Sequence, residues 1–186
     1  IGADQGILLN DSAFAGADTL ATSYTLAKAI DKIQNYSLVI CGRQTVDGDT
    51  GQVGPELAEM LNISFVAYVS QIEDVTNVYM RVQRIVEEGH EIIETSLPAV
   101  ITVAKEINVP RLPSLRGLVR ANSAFIPVWG IQELGADHNR VGLSGSATRV
   151  IKIFSPQRIR QGELLLGSLE NQVESLVDKL RNTKLI

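Results

Sequence analysis

The sequence predicts an α/β fold: a mostly parallel sheet flanked by helices, extended by an antiparallel hairpin and closed by a C-terminal helical arm. Three observations carry it. Ser37-Leu38-Val39-Ile40-Cys41 and Pro98-Ala99-Val100-Ile101-Thr102-Val103 are short continuous apolar runs, the pattern of strands buried on both faces of a parallel sheet. Leu20, Ala21, Tyr24, Ala27, Ala29 and Ile30 recur at helical spacing before the first of these runs, so strand and helix alternate. Residues 65–70, 79–86 and 91–97 alternate in polarity or are rich in β-branched side chains, and Glu87-Glu88-Gly89-His90 reads as the turn of an antiparallel hairpin.

Taken in order, Ile1-Gly2-Ala3-Asp4 reads as a loop feeding a strand at 6–9. The first residue is Ile and no signal-peptide pattern follows it, so the chain is expected to begin mid-domain, after a strand and a helix. A turn-rich loop at 11–17 leads into a helix at 17–33. The strand at 37–41 is followed by a polar, Gly-rich loop and a helix from about Pro55 to Leu61, with the proline in its opening turn. After the hairpin and the strand at 98–103, Pro110 and Pro113 forbid continuation of either strand or helix interior, which predicts a shaped loop. Residues 135–148 are polar and Gly-rich, and from 156 a charged linker leads to a helix whose Leu169, Val173, Leu176, Val177 and Leu180 keep helical spacing. The division expected is an α/β domain over 1–156 and a linker and helix over 157–186 that packs on another chain. No internal repeat is visible.

With 186 residues, 45% of them hydrophobic, the chain can fill one core. The formal net charge of -4 comes from interspersed residues, with no basic stripe, which argues against nucleic acid as a partner. A single cysteine and the lack of a long apolar run argue against a disulfide framework and a membrane span. A reducing, aqueous compartment, the cytoplasm, is the expectation. Cys41 has no CxxC partner and reads as a small apolar filler. His90 and His138 have no carboxylate or cysteine at metal-ligand spacing. No residues read as catalytic and none as metal ligands, so any chemistry is expected to belong to a bound cofactor.

Two segments invite such a ligand. Gly42-Arg43-Gln44-Thr45-Val46-Asp47-Gly48-Asp49-Thr50-Gly51-Gln52 lies between a strand and a helix start, where open α/β sheets bind ligands. Its glycines let backbone N–H groups approach an anion, and Thr50 and Gln52 can donate to phosphate. Asp47 and Asp49 would repel a pyrophosphate unless they accept hydrogen bonds themselves. The same residues also suit an ordinary strand-to-helix connection. Phe14-Ala15-Gly16-Ala17-Asp18-Thr19-Leu20-Ala21-Thr22-Ser23 occupies the corresponding place one unit earlier, although Asp18 or Thr19 could simply cap the helix. Together the two would form one nucleotide pocket.

The loop at 42–52, followed by Gly54-Pro55, resembles the nucleotide loop of electron-transfer flavoprotein beta subunits. So do Leu97-Pro98-Ala99-Val100-Ile101-Thr102-Val103 and Asn108-Val109-Pro110-Arg111-Leu112-Pro113-Ser114-Leu115-Arg116-Gly117, in the same order and spacing. The resemblance implies a heterodimer with an alpha subunit, an electron carrier without catalytic side chains of its own. It implies that the loop at 42–50 wraps the phosphates of AMP or of a second FAD, and that Ala15, Gly16, Ala17, Asp18, Thr19 and Thr22 lie along the ribityl chain or ring. Arg111, Leu112, Pro113, Ser114, Leu115 and Arg116 would dock a dehydrogenase, with Leu115 as the apolar anchor, unless Leu115 packs beneath its own loop. Gly135-Ala136-Asp137-His138-Asn139-Arg140-Val141-Gly142-Leu143-Ser144-Gly145-Ser146-Ala147-Thr148-Arg149-Val150 is similar to the motif of electron-bifurcating members, which hold that second FAD and oxidise NADH. It departs from the motif at Leu134, where Asn is usual, and at Ala147, where Pro is usual. The implied partners are an acyl-CoA or other dehydrogenase and, for a bifurcating member, ferredoxin or flavodoxin. The alternatives are a non-bifurcating subunit with structural AMP and a plain adenine-nucleotide-binding domain.

Overall fold

The structure, a computed structural model, describes residues 1–155 and 162–185. By contacts the chain divides into two units, Ile1–Arg149 and Val150–Ile186.

In the first unit a short β1 (Leu8–Leu9) precedes α1 (Thr19–Ile33), and β2 (Leu38–Gly42) precedes α2 (Val53–Leu61). β3 (Ser64–Val75), β4 (Tyr79–Val86) and β5 (Gly89–Ser96) form a meander that returns to β6 (Ala99–Val103). α3 (Leu115–Ser123), β7 (Val128–Trp129) and the single-turn helices α4 (Ile131–Leu134) and α5 (Gly142–Gly145) follow. The main sheet has the order β2-β6-β3-β4-β5, and β1 pairs with β7 in a separate two-stranded sheet. β2, β6 and β3 are mutually parallel, and β3, β4 and β5 are antiparallel. The expected mostly parallel sheet with a hairpin extension is therefore the architecture observed.

β6 sits between two parallel neighbours and is buried from Ala99 to Thr102, with Ala99, Val100 and Ile101 at 0% exposure. β2 has a neighbour on one side only, and Ile40 is 58% exposed. The apolar run at 37–41 is thus an edge strand rather than one buried on both faces. The strand expected at 6–9 contracts to Leu8–Leu9, because only these two residues find partners, in β7. β3 outruns the expected 65–70 because, after leaving β6, it continues as one leg of the hairpin.

α1 starts where the Asp18 carboxylate accepts from the Ala21 N–H, satisfying one of the helix's orphan donors. Its buried face is Ala21, Tyr24, Ala27 and Ala29. α2 begins two residues before Pro55 and ends at Asn62, which adopts the left-handed conformation at φ 53°. Leu57 and Ala58 face inward. A Cβ on Gly54 would lie 2.3 Å from Thr102 Cγ2, so the approach of α2 to the sheet requires a glycine there. The core gathers Val66, Val69, Met80, Val82 and Ile101, and a second cluster joins Tyr24, Ile131 and Val141. Each fully buried side chain of this kind contributes roughly 1.5–3 kcal/mol.

The loop expected around Pro110 and Pro113 ends at Ser114, whose hydroxyl accepts from the Gly117 N–H at 3.0 Å. Leu115 and Arg116 therefore stand in the first turn of α3 and not in a loop. His90 likewise belongs to β5, paired with Ile85, rather than to a turn. In the second unit, α6 (Leu169–Asn182) is capped by Ser168, and Lys179 pairs with Glu163 at 2.6 Å. Part of the expected charged linker, residues 156–161, lies outside the described residues. No described helix is long and apolar enough to cross a membrane.

Candidate functional site

Parallel pairing sends β1 and β2 into their following helices, and the starts of those helices lie side by side. The Thr19 hydroxyl donates to Gln52 Oε1 at 3.2 Å and to Glu56 Oε1 at 3.1 Å, and Ser23 donates to Glu56 Oε2 at 2.9 Å. The two segments singled out in the sequence, 14–23 and 42–52, are therefore neighbours. Gln52 and Thr19 are engaged with each other here.

The carboxylates of the second loop, though exposed, accept hydrogen bonds from within it. Asp47 Oδ1 accepts from the Gly48 N–H at 2.9 Å, and hydrogen bonding to the Thr45 hydroxyl and then to loop amides holds Asp47 below the ordinary carboxylate range. Asp49 accepts from the Gln44 amide, and Gln44 Oε1 in turn accepts from Arg43 Nε at 3.0 Å. Both carboxylates flagged as repelling a pyrophosphate thus have donors within the loop. The amides of Gly48 and Asp49 are also turned inward, Asp49 donating to the Thr45 carbonyl at 3.0 Å. Val46 is fully exposed, and the Arg43 guanidinium lies 4.7 Å from the centroid of the Tyr68 ring.

The first loop is clamped from far along the chain. The Asp18 N–H donates to Ser146 Oγ at 2.8 Å, and that hydroxyl donates to the Gly142 carbonyl at 2.8 Å and lies 3.3 Å from the Gly16 carbonyl. The Thr148 N–H and hydroxyl reach Asp18 Oδ2 at 2.9 and 3.1 Å, and the Leu143 N–H donates to the Ala15 carbonyl at 3.0 Å. A Cβ on Gly142, which has φ +54°, would lie 2.1 Å from the Ala13 carbonyl oxygen; only glycine fits. Burial pushes the Asp18 carboxyl upward, but the hydrogen bonds from Ala21 and Thr148 outweigh it, and the net displacement is downward. Capping is what the Asp18 side chain does, while the Thr19 hydroxyl serves α2 instead. The sequence reading missed Ser146 and Thr148 as partners of this loop, because 128 and 130 residues separate them from Asp18.

Among the residues expected to dock a partner, Leu112 is 89% and Leu115 84% exposed. Leu115 does not pack beneath its own loop. Arg111 donates to the Ile1 carbonyl at 2.8 Å, and Ser114 caps α3. Cys41 is half-buried, and burial pushes its thiol up. Among the described residues no three His, Cys, Asp or Glu side chains are grouped to hold a metal ion.

An α/β domain with two strand-to-helix loops side by side presents them where open sheets of this class bind ligands. The chain matches the electron transfer flavoprotein domain family over residues 1–130. It is 44% identical over 187 residues to the electron transfer flavoprotein subunit beta of Thermoanaerobacterium thermosaccharolyticum, a match covering 100% of this chain and 71% of that protein. It is 42% identical, with the same coverage, to the caffeyl-CoA reductase-Etf complex subunit CarD of Acetobacterium woodii. Against the acryloyl-CoA reductase electron transfer subunit gamma of Anaerotignum propionicum, identity is 37% over 193 residues, covering 100% of this chain and 72% of that one. The chain belongs to the electron transfer flavoprotein family, among its beta subunits.

Proposed function

We propose that this chain pairs with an alpha subunit, holds FAD between the loops at 14–23 and 42–52, and passes electrons between NADH and a partner dehydrogenase by flavin-based electron bifurcation. One observation carries this reading. The segment at 135–150, similar to the motif of bifurcating members, is bonded directly to the first loop through Ser146, Thr148 and Leu143. Relatives whose names place them with caffeyl-CoA reductase and acryloyl-CoA reductase point to an enoyl-type acyl-CoA reductase or dehydrogenase as partner.

The residues present fit the cofactor, since the loop carboxylates have donors within the loop and the backbone at Gly42 has open space beside it. Ala15, Gly16, Ala17, Asp18, Thr19 and Thr22 would line the ribityl chain or ring, and the loop from Gly42 to Thr50 the phosphates. When bound, FAD supplies the chemistry by accepting a hydride and releasing electrons one at a time. The protein binds, orients and shields. Leu112 and Leu115, exposed beside Arg111 and Arg116, would form the docking surface for the dehydrogenase, with ferredoxin or flavodoxin as the low-potential acceptor. The exposed stripe Leu169, Val173 and Leu176 of α6 would pack on the alpha subunit, and a cytoplasmic site of action follows from this chemistry.

A second reading, in keeping with relatives named only as electron transfer flavoprotein beta subunits, is a non-bifurcating subunit that holds AMP. The flavin count of the purified heterodimer separates them. Two FAD support bifurcation; one FAD with one AMP overturns it.

A further inference from the structure

β3 departs from regular geometry at one point. Between the pairs Val66↔Ile101 and Val69↔Val103, β3 carries one residue more than β6, the signature of a β-bulge, a feature that re-aims a side chain. Within it Tyr68 adopts φ +58°, a left-handed conformation that is rare for a bulky residue and that persists only where its surroundings impose it. The bulge is held from inside: the Tyr68 N–H donates to the hydroxyl of Thr102 at 3.1 Å, and Thr102 is 2% exposed. The result is an aromatic ring turned out of the sheet, 38% exposed, under the guanidinium of Arg43. Its hydroxyl also lies against Gly51, about 4.0 Å from where a Cβ would stand there. Both contacts are with the loop at 42–52.

Arg43 is the one basic residue in that loop, which also carries Asp47 and Asp49. Its Nε is engaged with Gln44, and the terminal nitrogens have no hydrogen-bond partner among the described residues. A guanidinium whose stem is oriented and whose fork is free matches the oxygens of a phosphate, and the aromatic face fixes it where a solvated arginine would wander. We propose that Tyr68 is a positioning residue of the nucleotide site: its ring holds Arg43 so that the guanidinium donates to a phosphate of the bound adenine nucleotide. This rests on the assignment of the loop at 42–52 as the phosphate loop.

The test is a calorimetric titration of the protein as isolated, stripped of bound nucleotide, with adenosine, AMP and ADP. Wild type, Tyr68→Phe, Tyr68→Leu, Arg43→Gln and the Tyr68→Leu/Arg43→Gln double variant are compared. Losing a charge-assisted hydrogen bond should weaken AMP and ADP about tenfold or more in Tyr68→Leu and in Arg43→Gln. Adenosine, lacking phosphate, should change less than about twofold, a distinction that general loss of structure would not produce. Tyr68→Phe keeps the ring face and should bind as wild type. The double variant should be no weaker than Arg43→Gln alone, because both changes remove one interaction. Equal loss of adenosine and ADP in Tyr68→Leu would mean that the ring supports the base or the fold, and would overturn the proposal. So would Tyr68→Phe matching Tyr68→Leu, or losses that multiply in the double variant. If Tyr68→Leu does not fold, Arg43→Gln, an exposed loop change, decides alone: unchanged ADP affinity overturns the proposal. Wild type that binds none of the three ligands would instead remove the site assignment on which it rests.

Discussion

Ser146→Ala removes one oxygen from a junction that ties two distant loops together. The lost hydroxyl accepts from the Asp18 N–H and donates to the Gly142 carbonyl, both at 2.8 Å. A net hydrogen bond is worth about 1 kcal/mol, and a donor left without a partner costs about 1–3 kcal/mol. Ser146 is half-buried, so water can reach part of the vacated space and the expected loss is about 1–2 kcal/mol. If that energy is local to the junction, residues 15–20 should open and exchange their amides about 5–30 times faster. If it is felt globally, the melting temperature should fall by roughly 2–4 °C per kcal/mol for a chain of this size. The assay is hydrogen exchange by mass spectrometry over peptides covering 15–20, with Ser144→Ala, an exposed neighbour, as control. The same variant should retain less bound nucleotide after gel filtration. Unchanged exchange at 15–20, or acceleration confined to the β3–β5 hairpin, would refute the claim that Ser146 holds this loop.

The other predictions concern the ligand loop, the partners and acid stability. Thr50→Ala with Gly48→Val should lower nucleotide content, by removing a phosphate donor and crowding Thr45, whose Oγ1 would lie 3.2 Å from the new Cβ; wild-type content would count against the loop assignment. Leu115→Ala should cost about 2 kcal/mol of dehydrogenase binding, roughly 30-fold in affinity, with unchanged nucleotide content and unchanged transfer to an artificial dye. Equal loss with protein and dye would show that Leu115 supports the fold. Removing α6 should weaken assembly with the alpha subunit on size exclusion, and an intact heterodimer would contradict its assigned role. Acid stability should follow Asp11 and Asp18. The Ala13 N–H and then the Ile131 N–H hold the Asp11 carboxyl below its usual value, and Asp18 is lowered against the effect of burial. Both contributions are complete above the unfolded carboxylate value of about 3.9 and disappear as pH falls through the lower folded values. Melting curves taken from pH 6 down to pH 2.5 should show the decline, shallower in Asp11→Asn.

The strand-helix alternation was readable because a parallel sheet concentrates apolar residues in short runs, and Ala99 to Val103 is such a run wherever it sits. Position within the sheet was not readable. The run at 37–41 is as short and nearly as apolar as β6, yet it lies at an edge, because order is set by pairings between residues 61 apart, such as Leu38 with Ala99. α3 escaped notice because Pro110 and Pro113 dominate the local pattern and none of its residues is buried, so no inward stripe marks it. Ser114 ahead of Leu115 was the available signal, a capping residue directly after a proline. The two ligand loops could be located from strand-to-helix punctuation alone. Their supports could not: Ser146 and Thr148 act across the whole unit, and the bulge that turns Tyr68 outward arises from a mismatch between β3 and β6 that no window of sequence contains.

β3 outruns its parallel neighbours. Its last residue paired with β6 is Val69, which faces Val103, while β2 ends at Gly42 opposite the same residue. The strand nevertheless continues to Val75 alongside β4, about 20 Å farther at roughly 3.3 Å per residue. At the carboxyl edge of the parallel strands β3 therefore stands beyond β6 and β2, which end level with each other.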